Sequence, residues 1–165
     1  MEPGEALGIA AQIAVALAGF AGVVVVFRRE AVHEWSGIDK LRLRFLLANS
    51  ILPLVVSMLG LLLLTIRPLP PGTWRWCSGI FLVATVAFVT ATAKMLRRLN
   101  LPNAHRDRVT RFIFFLFGVF GVAAMILQLY NIALLDAFWP FFAGIVYQLV
   151  TAMAQFARMI LLLPE

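Results

Sequence analysis

Charge is what this sequence has least of. Only 13% of its 165 residues are charged and 62% are hydrophobic. An ordinary soluble domain has roughly 25% and about 45–50%. Cysteine is almost absent as well. The lone Cys77 excludes an internal disulfide, a paired-thiol redox centre and a cysteine-based zinc site within one chain. It reads as a small apolar residue near a helix start. Histidine occurs twice, at His33 and His105, both in loops, so a bundle haem has no axial ligands inside the membrane. No aspartate or glutamate falls in the middle of an apolar stretch, and a proton relay or cation-coupled carrier is hard to build without one. Nucleotide-binding loops, serine nucleophile elbows and zinc-protease helices are missing too. His105-Arg106-Asp107 matches the opening of a kinase catalytic loop by chance, because the rest of that machinery is absent. No catalytic, cofactor-binding or metal-ligating residue is assigned.

What is there is hydrophobic length. Apolar blocks recur at about 6–27, 43–66, 76–97, 110–131 and 138–162, each able to cross roughly 30 Å of hydrocarbon at about 1.5 Å per residue. The chain therefore reads as all-α, a single integral membrane domain of five transmembrane helices. Glu2 and Glu5 precede the first block where a signal peptide would carry basic residues, and the block is too long for cleavage.

The net charge of +6 is arranged by topology and not by nucleic acid, which is not expected as a partner. Arg28, Arg29, Lys40, Arg42 and Arg44 follow the first span, and Lys94, Arg97, Arg98, Arg106, Arg108 and Arg111 flank the connection after the third. The loop after the second span has Arg67 and Arg75, and the loop after the fourth has none. This alternation puts the N-terminus outside and the C-terminus in the cytoplasm. Trp35, Trp74, Trp76 and Trp139 fall at span ends, where an indole buries its ring and wets its N–H.

Local signals refine the spans. Ser36-Gly37-Ile38-Asp39 reads as an N-cap with an acid at the third helical position. Pro53 lies inside the second span and frees the carbonyl of Asn49; Asn49 and Pro53 mark a candidate kink, with Asn49 and Ser50 placed to satisfy the freed backbone. Residues 67–72 form a proline-rich turn, and Pro140 sits in the first turn of the last helix.

The most informative polar feature is on that last helix. Gln148, Thr151, Gln155 and Arg158 recur every three or four residues and share one face. Amides facing lipid are costly, so the stripe should face other helices. Interhelical hydrogen bonding is the leading reading, ahead of a subunit interface and of a pore lining in an oligomer. Gln12, Asn49, Ser57, Gln128 and Asn131 are its complementary partners in other spans. Ala14, Ala18 and Gly22 are spaced by four, and Gly118 and Gly121 slim the fourth span. The phenylalanines Phe112, Phe114, Phe115 and Phe117 point around their helix and read as lipid contact.

Gly19-Phe20-Ala21-Gly22-Val23 with Phe27-Arg28, then Trp35, Asp39-Lys40-Leu41-Arg42 and Gln155-Phe156-Ala157-Arg158, resemble a loose group of small bacterial membrane proteins. The resemblance covers nearly the whole chain. It implies a bacterial inner-membrane location and transfers no activity, cofactor or site residue. The expected function is a non-enzymatic accessory or interaction subunit whose partners are the lipid bilayer and either copies of itself or another membrane protein. A homo-oligomeric pore or passive permease lined by the last helix is the alternative. A membrane-embedded lipid-modifying enzyme using His33, Glu34 or Asp39 at the headgroup level comes third.

Overall fold

Long apolar blocks have no water to satisfy their backbone, so helix is the conformation that closes every amide internally. The computed structural model follows that rule. It describes residues 1–27, 33, 35, 37–98 and 108–161. Five helices form: α1 (Pro3–Phe27), α2 (Gly37–Leu64), α3 (Thr73–Arg98), α4 (Arg108–Tyr130) and α5 (Phe138–Leu161), with a π-helical turn over Asn131–Leu135 between the last two. All five are long and apolar enough to span a membrane. Arg28, Arg29, Glu34, Ser36, His105, Arg106 and Leu162, which figure in the sequence reading, lie outside the described residues.

The helices belong to two compact units, Met1–Thr73 with Gln148–Glu165, and Trp74–Tyr147. In the first unit α1 lies along α2. Ala6, Leu7, Ala10, Ala11, Ala14, Leu17 and Ala21 make up its buried face, and its many small side chains let two backbones come close. Gly4 reaches the far end of α2, where a Cβ would stand 3.8 Å from Leu64 Cδ1. Phe20 of α1 stacks on Phe156 of α5 at 5.3 Å between ring centroids.

Asp39 is the third residue of α2, as the sequence suggests, and its carboxylate pairs with Arg42 at 3.2 Å. Pro53 lies inside α2. Asn49 and Ser50 do not turn to the carbonyl that Pro53 frees. Asn49 Nδ2 donates to Phe45 O at 2.9 Å and Ser50 Oγ to Leu46 O at 2.8 Å, one turn earlier. A side chain in a helix is tilted toward its N-terminus, so the carbonyl four residues back is the one in reach.

The second unit is built on aromatic packing. Trp74 meets Phe138 edge-on at 4.9 Å and Phe141 at 5.9 Å, and Phe81 meets Phe141 edge-on at 6.2 Å. Trp74 and Trp76 stand in the first turn of α3 and Trp139 in the first turn of α5. Trp76 and Trp139 are exposed, whereas Trp35 and Trp74 are buried. Trp74 and Trp76 are about 200° apart on a helix and cannot share a face.

Candidate functional site

Three residues of the stripe on α5 are buried and the fourth is half-buried. Gln148 is 4% exposed, Thr151 9% and Gln155 8%, and Arg158, in the last turn, is half-buried. The side chains expected to serve it are engaged elsewhere, face outward or, for Ser57, are buried without a partner among the described residues. Gln12 is exposed, and Asn49 bonds within its own helix. Ser57 Oγ is buried with no hydrogen-bond partner among the described residues. Gln128 and Asn131 belong to a different polar centre.

That centre is the junction joining α3, the π-helical turn and the start of α5. A π turn widens the helix and ends with Asp136 in the left-handed region at φ 47°, a conformation aspartate and asparagine tolerate better than most residues. The Asp136 N–H closes the turn on Asn131 O at 3.1 Å. The chain then enters α5 with the backbone of Ala137 still to be satisfied, and Asn131 satisfies both of its groups. Its Oδ1 accepts from Ala137 N at 2.9 Å, and its Nδ2 donates to Ala137 O at 3.1 Å and to Ser78 Oγ at 2.7 Å. Because Ala137 N can only donate, the amide has one orientation. One turn earlier, Gln128 Nε2 donates to Pro140 O at 2.6 Å while Gln128 Oε1 has no hydrogen-bond partner among the described residues. Tyr147 donates its hydroxyl to Phe117 O at 2.7 Å, which ties α5 to α4 a second time.

Asp136 also caps a neighbour. Its Oδ1 accepts from Arg75 N at 3.0 Å, in the first turn of α3. The unpaired amides at a helix start favour an anion, and no acidic side chain stands in the first turn of α3 itself. The cap is therefore supplied from 61 residues away. Asp136→Asn keeps both the left-handed backbone and an acceptor oxygen, so we expect a loss of about 0.3–1 kcal/mol. Asp136→Ala loses the cap and strains the backbone as well, with an expected loss of about 1–3 kcal/mol. Asp136→Gly should fall between, because it relieves only the strain. Unfolding of the purified chain in mixed micelles would order the three; an alanine variant as stable as the asparagine variant would contradict the cap.

Gln128 and Asn131 are legible in the sequence as polar residues, but this junction is not. The available signal was their spacing of three on one face, followed by Asp136 and Pro140 within the next turns. Among the described residues no group of three or more histidine, cysteine, aspartate or glutamate side chains could hold a metal. The arrangement binds backbone to backbone through side-chain amides, and its chemistry is that of a structural lock. No protein-family model, curated protein or solved structure matches the chain.

Proposed function

We propose that this chain is an accessory or interaction subunit of a membrane assembly, not an enzyme and not a pore lined by its last helix. The observation that carries the reading is the burial of Gln148, Thr151 and Gln155 within a single copy. A face already covered by its own chain acts in packing; a conducting lumen needs that face open to water. The amides of Gln128 and Asn131 likewise serve backbone groups of the same chain. What is left facing outward is largely apolar: on α4 Phe115, Val119, Phe120, Val122 and Ile126 are all exposed. Such surfaces suit lipid and the flanks of other membrane helices.

The arginine and lysine alternation supports an orientation with the N-terminal end of α1 outside and the C-terminal end of α5 in the cytoplasm. The bacterial inner membrane is the location proposed, on the resemblance given above. The test is to extract the protein from its native membrane in surrounding lipid and weigh the intact complex by native mass spectrometry. A second polypeptide at fixed stoichiometry is expected. Particles containing only this chain, as monomer or homo-oligomer, would overturn the accessory reading.

A further inference from the structure

α1 carries an amide on its bare side. Gln12 is exposed, and no hydrogen bond of its side chain occurs among the described residues. It lies about 14 Å along a helix about 37 Å long, close to the middle of the hydrocarbon. A carboxamide there has two donors and an acceptor with no water to take them, an arrangement that persists in membranes when another helix supplies the partner.

The residues around Gln12 are shaped for such an approach. At 100° per residue, Gly8, Gln12, Val15 and Gly19 fall within an arc of about 60°, turned away from the alanine face that packs on α2. A Cβ added to Gly8, Gly19 or Gly22 would meet nothing within 4 Å among the described residues. Contacts among the described residues therefore do not require glycine at these positions, although glycine weakens a helix relative to alanine. Phe20, one residue on from Gly19 and so about 100° round the helix, is the side that stacks on Phe156. The bare face is thus separate from both packed flanks.

We infer that this face of α1 is the seam of a parallel two-fold dimer of the chain, with Gln12 of one copy hydrogen-bonded to Gln12 of the other. Two features select a second copy as the occupant. An amide is self-complementary, since it donates and accepts in the same plane. Two copies inserted with one orientation also place Gln12 at the same depth on both sides of an axis along the membrane normal, where an isologous contact brings each residue to its own mate. The glycines on either side of Gln12 let the two backbones close around that bond. This dimer is independent of the accessory reading, because self-association neither needs nor forbids a further polypeptide.

The test uses the full chain, dye-labelled and reconstituted in liposomes over a range of lipid dilutions, with dimer content read by single-molecule photobleaching. Gln12→Leu should weaken the dimer about 5- to 30-fold, the value of one interhelical polar contact. Gly19→Ile, which holds the backbones apart, should weaken it at least as much. Gly118→Ile on α4, also in open space, should leave it unchanged. Oxidative cross-linking should capture homodimers from Gly8→Cys, Val15→Cys and Gly19→Cys, and none from Ala10→Cys or Ala14→Cys, whose positions are buried. Gln12→Leu places an apolar side chain at an already exposed position, so helicity by circular dichroism should be unaltered. A chain that is monomeric at every dilution would overturn the inference. So would a dimer indifferent to both substitutions, or cross-links from this face to a different polypeptide.

Discussion

Asn131→Asp should destabilise the second unit by about 3 kcal/mol or more, although it changes neither the size nor the outline of the side chain. Asn131 is 0% exposed. Its Oδ1 bond from Ala137 N survives the change, but an oxygen replaces the nitrogen that donates to Ala137 O and Ser78 Oγ. The serine hydroxyl can rotate and donate instead; the carbonyl cannot. An acceptor then faces an acceptor at 3.1 Å in a site closed to water. Losing one buried donor costs about 1–3 kcal/mol, and placing a carboxyl in the same site adds a desolvation penalty. Asn131→Leu leaves Ala137 N unpaired and removes the bond to Ala137 O, and should cost about as much. Ser78→Ala removes only one end of the network and should cost about 1 kcal/mol. The two sites share a bond, so Asn131→Ala combined with Ser78→Ala should fall short of the sum of the single changes by about 0.5–1 kcal/mol. Unfolding by sodium dodecyl sulfate in mixed micelles, followed by tryptophan fluorescence, measures all of these. An aspartate variant within about 0.5 kcal/mol of the parent would show that the amide does not hold the junction together.

The contrast between this junction and the helices shows which features a sequence carries openly. Span existence follows from composition summed over about 20 residues, and a single substitution barely changes that sum. All five blocks accordingly became helices. The start of α2 was legible because Asp39 is a local signal at a helix N-terminus, whereas α3 starts at Thr73, ahead of the apolar block beginning near 76, since its cap comes from Asp136. No window on the sequence links positions 61 apart. The π-helical turn was invisible for a related reason. Asn131–Leu135 reads Asn-Ile-Ala-Leu-Leu, an ordinary helical string, and the bond from Ala137 N to the Asn131 side chain leaves no local signal in it.

Alternating steps of three and four keep residues on one helix face, whereas repeated steps of four drift around it. Gln148, Thr151 and Gln155 alternate, stay on one face and are buried together. Ala14, Ala18 and Gly22 advance about 40° with each step of four. Ala14 ends on the buried face, Ala18 is half-buried, and Gly22 is exposed in open space. The outward turn of Gln12 was hidden from the sequence because it depends on which face of α1 the alanines take up against α2.

Gly144→Val should abolish folding of the second unit, and Gly144→Ala should destabilise it by about 1–3 kcal/mol, the usual penalty for overpacking a core. A Cβ on Gly144 would sit against Phe81 Cε1, 2.7 Å from Gln128 Nε2 and 3.2 Å from Phe81 Cδ1. Neither neighbour gives way easily. Phe81 is buried edge-on to Phe141, and Gln128 is held by its 2.6 Å bond to Pro140 O. Alanine's higher helix propensity returns up to about 1 kcal/mol, so the net effect isolates the clash only when a glycine in open space is changed in parallel. Gly118→Ala is that control: with nothing within 4 Å of its Cβ, it should be neutral or slightly stabilising. The decisive variant is a double one. Phe81→Leu alone loses aromatic packing; combined with Gly144→Ala it removes the ring that the new methyl strikes, so the pair should be more stable than the sum of the two changes by about 1 kcal/mol. Strict additivity would place the strain on Gln128 instead, and the amide bond to Pro140 would then be the contact that requires glycine at position 144.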